Sequence, residues 1–489
     1  MRDMILVLSF DAGFANNVAR MLRSERVYCK LVPKDVTLEQ VQRENPSGLV
    51  LAGGVTSRGE RGRECQALDR RLLEGGLPVL ALGSAARTLC DVEGGAQTGD
   101  VIEKRAVPVT YTDNPLFSGI EAGERWLEHC HDLTLPQGYE VIAETEGFAV
   151  GFAHGEKPVY SLQFQVEKND PDGIAILLNF ALGICKCTAW WEESAFVERA
   201  KEELQHVIGE GKAICAVSGG LDSTVCALLA EKAVADKVHC VLVDTGLLRE
   251  GEPAWVAEQL AQQGLRVNRV DACTAMAQAL AGVVDAAQKC AAAQQVIAQA
   301  LEAEAERIGG VTVLLRGTNY SDIVQASCQG DESCHEASQT KLHLVEPLRD
   351  LFRGEVFRVG ELLELPAQLL YRQPFPGGGL AMRVFGEATP QRLRTLRAAE
   401  ALFEAEIEEA GLSRKLWKYY ATLAQMPEGE SAGQVVLLRA VQQSEMTATP
   451  ARLPYDLLER VVERILREVE GITRVMYDMT TAAHVRNEL

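Results

Sequence analysis

Along residues 1–187, apolar positions come in short runs set between stretches with helical spacing. Residues 4–9, 48–52 and 78–82 are such runs, each ending in small or turn-forming residues. Strands that are apolar throughout are buried on both faces, so the alternation predicts a mostly parallel sheet covered by helices. Within 138–164 three apolar strings, YEVIAET, FAVGFAH and VYSLQF, follow closely on one another. Their crowding predicts a β-meander.

Residues 190–206 read as an amphipathic helix leading into a second region. A strand over 212–217 runs straight into Ser218-Gly219-Gly220-Leu221-Asp222-Ser223-Thr224, with a helix predicted over 225–233 and a strand over 239–244. The Ala/Gln-rich stretch 274–308 is expected to be a long helical region, solvated and partly packed. A strand at 311–315 and the loop Gly317-Thr318-Asn319-Tyr320-Ser321-Asp322 follow. Residues 374–379 form a hinge rich in proline and glycine. Beyond it, helices are predicted over 390–410 and 455–470, and strands over 434–440 and 474–478. The predicted fold class is α/β in three domains: 1–187, then 188–379 with a doubly wound parallel sheet, then a smaller α+β domain over 380–489.

Composition narrows the function. A chain of 489 residues suits about three cores at roughly 100–200 residues each. The net charge of −20 repels nucleic-acid backbone and anionic membrane, so neither is an expected partner. A small anionic substrate would need a locally positive pocket. No apolar run approaches the roughly 20 residues that cross a bilayer. Thirteen cysteines without an even framework, and no signal peptide, lead to an expectation of free thiols in a reducing cytoplasm.

The 218–224 string carries the strongest chemistry. A strand that turns through Ser-Gly-Gly into a helix presents backbone N–H groups at a helix N-terminus, which is an anion site. Gly219 and Gly220 allow close backbone approach. Ser218, Ser223 and Thr224 add hydroxyl donors, and Asp222 is a candidate magnesium-side carboxylate. The alternative for a bare Ser-Gly-Gly is a capped glycine turn; the full string between strand and helix favours the anion site. It is not a Walker loop, because no lysine follows the last glycine at the required spacing.

On this loop, S-G-G-L-D-S, the chain resembles the ATP pyrophosphatase family. Further strings bring the likeness to the GMP synthase family: V-D-T-G-L-L-R at 243–249, G-T-N-Y-S-D at 317–322, V-E-P-L at 345–348 and Y-R-Q-P-F-P-G-G-G-L at 371–380. Arg383 and Gly386 follow in place, as do Tyr455-Asp456 and R-V-M-Y-D at 474–478. The resemblance implies adenylation of a purine carbonyl, that of xanthosine monophosphate, followed by amination. It implies ATP and Mg2+ as cofactors. Asp222, Ser223 and Lys341 become catalytic positions, and Asp222 the metal position. ATP would be held by Ser218, Gly219, Gly220, Leu221, Asp222, Ser223, Thr224, Val243, Asp244, Gly246, Gly317, Thr318, Asp322 and Arg383. A homodimer through 380–489 is also implied.

The first domain resembles a class I glutamine amidotransferase with its chemistry removed. The family's nucleophile elbow, G-x-C-x-G, reads Ala81-Leu82-Gly83-Ser84-Ala85 here, with Gly83 at the cysteine position. Its Q-F-H-P-E reads Gln163-Phe164-Gln165-Val166-Glu167, with Gln165 for the histidine. Glycine offers no thiolate and an amide takes no proton near neutrality. Neither Ser84 nor Cys90 has an evident base. His129, which matches a family histidine, is expected at a surface or interface. Ammonia would then be free, or come from a separate glutaminase.

The acceptor segments also depart from the family. Its K-R-K-x-I-G corresponds to 289–294, which keeps only Lys289. Its H-H-N-V-G-G-L-P lid is replaced by 332–341, and its C-terminal K-P-P-x-T-I-E-W-E by 480–489. Three readings stay open: an ammonia-using ligase of GMP synthase type, an ATP pyrophosphatase with a different acceptor, or a non-catalytic ATP-binding relative. The first is adopted. Cys328, Cys334 and His335 lack a standard zinc spacing, and Trp190-Trp191 is expected to pack between domains.

Overall fold

The computed structural model describes residues 3–54, 68–166, 170–323, 340–425, 433–443 and 448–480. They form two compact units, Met1–Ala195 and Phe196–Leu489.

The first unit holds one nine-stranded sheet. Its strands are β1 Ile5–Ser9, β2 Cys29–Pro33, β3 Gly48–Gly53, β4 Val79–Gly83, β5 Ala96–Tyr111, β6 Gly123–Thr134, β7 Tyr139–Thr145, β8 Phe148–His154 and β9 Val159–Leu162. The order is β2-β1-β3-β4-β9-β8-β7-β5-β6. The stretch from β2 to β9 is parallel, and from β9 onward the pairing is antiparallel. The expected meander is β7-β8-β9. Every residue of β3 and β4 is buried, which is why these strands read as unbroken apolar runs. Trp191 is buried in this same unit, stacked on Tyr28 at 4.8 Å with the Arg23 guanidinium 4.9 Å from its ring. Trp190 and Trp191 thus pack on Tyr28, across the expected boundary at 187/188.

The second unit contains a parallel five-stranded sheet of β10 Lys212–Ala216, β11 Val238–Asp244, β12 Val267–Asp271, β13 Val311–Leu315 and β14 His343–Val345, in the order β12-β11-β10-β13-β14. A second sheet pairs β15 Lys418–Gln425 with β16 Gln434–Gln443, whose other edge takes β17 Ala448–Pro450 and β18 Ile472–Tyr477. The helical region expected at 274–308 is two helices, Cys273–Ala279 and Ala286–Ile308. They are separated at Gly282, whose φ of +73° leaves the helical region. The longer helix is anchored by buried Ala293, Val296, Leu301 and Ala305, so it is packed more than its composition suggested.

The two sheets of this unit share a core. Leu247, Met276, Ala293 and Val296 pack in one cluster with Leu396, Phe403, Leu438, Val461 and Ile465. The sequence boundary at 379/380 thus falls between two sheets that bury apolar surface together. No helix among the described residues is long and apolar enough to cross a membrane.

Candidate functional site

In the parallel sheet of the second unit the chain runs outward from β10 through β11 to β12, then returns to the other side of β10 with β13. The order reverses between β10 and β13. A crevice at the carboxyl ends of strands flanking such a reversal is where open α/β sheets bind ligands. The segments entering it are the loop after β10, residues 217–220, and the loop after β13, residues 316–319.

The loop after β10 is a tight hydrogen-bonded turn. Ser223 Oγ accepts from Ser218 N–H at 3.1 Å and donates to the Gly220 carbonyl at 3.1 Å. The helix Leu221–Val234 starts within the string, four residues earlier than the sequence suggested. Leu221, Asp222 and Ser223 consequently lie in the first helical turn, where N–H groups have no intrahelical partner. Gly219 has φ +74°, and a Cβ there would sit 2.4 Å from Arg372 Nη1 and 2.5 Å from Val256 Cγ2. Gly220 has open space beyond 3.4 Å. Of the two glycines, Gly219 is the one the fold requires.

Not every predicted donor is available. Thr224 is fully buried and its hydroxyl donates to the Gly220 carbonyl at 2.8 Å, so it supports the turn and is not a free phosphate donor. Asp244, at the end of β11, is also committed: Oδ1 accepts from Gly246 N–H at 3.0 Å and Oδ2 from Arg269. Val243 is half-buried beside it. Gly317 makes room for a backbone contact, since a Cβ there would lie 2.6 Å from the Asp222 carbonyl oxygen and 2.7 Å from Ser223 N. Thr318 is buried and donates to Glu346 at 2.5 Å. Asp322 accepts from the Asn319 N–H at 3.1 Å.

Arg383 and Lys341 stand apart from this cluster. Arg383 is buried, paired with buried Glu400 and packed against Phe375 and Tyr420, at 5.0 and 4.7 Å from their ring centres. It serves the core, because a buried guanidinium needs its counter-ion there. Lys341 is exposed, with its backbone N–H donating to Glu302 at 2.9 Å. No described hydrogen bond or ion pair joins either residue to the phosphate loop.

Arg372 and Asn319 contact the 218–224 loop, although neither stands out from its motif in the sequence. Arg372 donates to the Gly219 carbonyl at 2.6 Å, pairs with Glu252 and lies over Trp255. Burial pushes its guanidinium down to about 10, with the like charge of Arg249 adding to the effect. Arg372 also lines a cavity of about 800 Å³ with Arg249, Trp255, Glu400, Glu404 and Tyr419, which residues 218–224 do not line. Asn319 is buried and donates to Asp222 Oδ1 at 2.9 Å. Its only sequence signal is its place inside the G-T-x-Y-x-D string.

In the first unit, β4 ends at Gly83, with φ +61° and ψ −126°, and the helix Ser84–Val92 begins at once. This is a nucleophile-elbow turn. A Cβ at residue 83 would lie 2.1 Å from the Gly53 carbonyl oxygen and 3.5 Å from Gln165 Cγ. The nucleophile and base positions read from the sequence therefore meet, beside the glycine turn that ends β3. Glu167 lies outside the described residues. Cys90 is buried further along the helix and donates to the Thr134 carbonyl at 3.7 Å. His129 is half-buried, 4.8 Å from His131. The nearby thiol of Cys130 is pushed up to about 12 by burial, only partly offset by Arg87.

Comparison with known proteins covers the whole layout. A family profile described as glutamine amidotransferase class-I matches residues 6–183. One described as NAD synthase matches 194–309, and one described as GMP synthase C terminal domain matches 405–484. A GMP synthase (glutamine-hydrolyzing) of Caldicellulosiruptor saccharolyticus is 36% identical over 501 residues, covering 98% of each chain. Proteins of the same description from Clostridium tetani and Aquifex aeolicus are 33% and 36% identical over 502 residues, again 98% of each. The chain belongs to the GMP synthase family. It is an ATP-dependent ligase of GMP synthase type. Among solved structures, a putative GMP synthase component from Thermoplasma acidophilum matches 37% of this chain and 94% of that one at 23% identity, with a TM-score of 0.33.

Against the GMP synthase pattern, the lysine kept from the acceptor string is the notable residue. Lys289 is 2% exposed and its ammonium donates to the Val384 carbonyl at 2.6 Å and the Ala381 carbonyl at 3.3 Å. Burial lowers its pKa. Cys328, Cys334 and His335 lie outside the described residues, as do most of the replaced lid and the C-terminal string. Among the described residues no cluster of three or more His, Cys, Asp or Glu could hold a metal ion.

Proposed function

We propose that this GMP synthase family member aminates xanthosine monophosphate using ATP and ammonia, and does not itself hydrolyse glutamine. The observation that carries the ATP half is the first turn of the Leu221–Val234 helix at the strand-order reversal, with Asp222 at its mouth. The purine carbonyl oxygen attacks the α-phosphorus of ATP, the bond to the bridging oxygen breaks, and pyrophosphate leaves. Ammonia then adds to the activated carbon; AMP departs with the former carbonyl oxygen and a proton is released. Backbone N–H groups of Leu221, Asp222 and Ser223 receive the pyrophosphate charge and need no reorganisation to do so. Ser218 and Ser223 hold the turn that aims them.

Asp222 suits magnesium by its chemistry. One carboxylate oxygen is fixed by Asn319, and the other carries no hydrogen bond among the described residues. A single carboxylate with triphosphate and water is a common Mg2+ environment, which fits the lack of a larger acidic cluster among the described residues. Bound there, the ion would neutralise charge on the leaving pyrophosphate.

The nitrogen half rests on Gly83 and Gln165, which occupy the nucleophile and base positions with groups that do neither job. Ammonia is then taken from solution or from a separate glutaminase. Pairing of two copies through 380–489, where Phe385, Tyr455 and Met479 stand exposed, belongs to the same reading. A second reading, the same ATP step on a different acceptor, is favoured by one observation: the ammonium of Lys289 is spent on two backbone carbonyls.

The test is pyrophosphate release from MgATP with xanthosine monophosphate and ammonium, with GMP as the product. Asp222→Ala should reduce it at least about a hundredfold, while Ser84→Ala should leave it unchanged. Turnover by the wild type only with another acceptor would transfer support to the second reading, and full turnover by Asp222→Ala would remove the first.

A further inference from the structure

Two segments that are distant in sequence meet at the strand-order reversal through one buried amide. Asn319 immediately precedes the helical residues that begin at Tyr320, and it is only 1% exposed. Its side-chain oxygen accepts from Ser321 N–H at 2.8 Å and Asp322 N–H at 3.2 Å. Its own backbone N–H donates to Asp322 Oδ2 at 3.1 Å. The arrangement is a reciprocal helix cap. Because the two N–H groups require the oxygen, the amide has one permitted orientation, and its NH2 is turned away from the cap. That NH2 donates to Asp222 Oδ1 at 2.9 Å.

Asp222 sits at the start of the Leu221–Val234 helix, beyond a turn that has no other side chain to orient its carboxylate among the described residues. The contact at Gly317, where a Cβ would lie 2.6 Å from the Asp222 carbonyl oxygen, brings the two segments close enough for the bond. A capping residue needs only an oxygen; serine, threonine or aspartate would serve. The residue here is one that caps and also donates, and the donor is directed at the carboxylate.

We propose that Asn319 is a positioning residue that fixes Asp222 for the metal–triphosphate, a role resting on the reading of 218–224 as the ATP site. Hydrogen bonds to a ligating carboxylate set its direction, and losing one typically costs about 10–100-fold in metal affinity. The capping oxygen and the positioning NH2 can be separated by substitution. Asn319→Ser keeps a capping oxygen but is too short to reach Asp222. Asn319→Ala loses both functions.

The measurement is Mn2+ binding in the presence of ATP and without acceptor, followed by the electron paramagnetic resonance of free Mn2+, together with thermal melting and the Mg2+ dependence of ammonium-dependent turnover. The expected result is that both variants bind Mn2+ about tenfold or more weakly and need correspondingly more Mg2+, while only Asn319→Ala melts clearly earlier. If Asn319→Ser matches the wild type in Mn2+ affinity and Mg2+ dependence, Asn319 is only a cap and the proposal is overturned. If Asp222→Ala also leaves ATP-dependent Mn2+ binding intact, the reading of the loop fails as well, so the two failures are told apart.

Discussion

Position 83 leaves no room for a side chain. The Gly53 carbonyl oxygen stands 2.1 Å from where its Cβ would be, and the backbone there has a positive φ. Restoring the family's cysteine should therefore strain the turn. Gly83→Cys is expected to lower stability by roughly 1–3 kcal/mol, read from thermal or denaturant unfolding. It should release no glutamate from glutamine, because residue 165 still offers an amide where a base is needed. An active, fully stable Gly83→Cys would mean that the elbow is open and that the missing thiol was the sole loss. The neighbouring hydroxyl of Ser84 is no substitute: the residue is buried at the start of the helix, with Thr88 donating to its carbonyl.

Among the elements, the loops after β10 and β13 depend on each other. Gly317 lets one backbone touch the first helical turn of the other. Gly317→Ala should push Asp222 and Ser223 out of place, lowering ATP-dependent turnover at least about tenfold and stability by roughly 1–3 kcal/mol. Unchanged kinetics would show that this contact does not set the site. Much of this layer was legible in the sequence. A strand ending in Ser-Gly-Gly before a helix, and continuous apolar runs such as 48–52, have few structural alternatives. What was illegible depends on partners far along the chain. Thr224 reads as a donor until the Gly220 carbonyl claims its hydroxyl, and Lys289 reads as the residue kept from the acceptor string until two carbonyls claim its ammonium. Arg383 reads as an ATP-holding residue by resemblance, and the fold pairs it with Glu400 in the core. Residue type gives the capacity to bind; the tertiary neighbour decides where that capacity is used.

At the scale of the molecule, the second unit is held together by a core that joins both of its sheets, and a buried ion pair lies beside it. Arg383 and Glu400 are 4% and 1% exposed, with Arg249 near the same carboxylate at 3.5 Å. Removing Arg383 leaves the buried carboxylate with Arg249 as its remaining cation among the described residues. Arg383→Met should cost about 3–5 kcal/mol in unfolding measurements, and Arg383→Met with Glu400→Leu considerably less. Equal losses in the two variants would show that packing, not charge, dominates there.

On the proposed reading, one molecule combines an ATP-binding loop at 218–224 with an elbow in which Gly83 and Gln165 supply neither nucleophile nor base. The direct measurement is the origin of the nitrogen in the product. With MgATP and xanthosine monophosphate, the purified chain is supplied with 15N-ammonium and unlabelled glutamine, then with the labels exchanged. 15N is expected in GMP only when ammonium carries the label. Label arriving from the glutamine amide, with no other protein present, would contradict it.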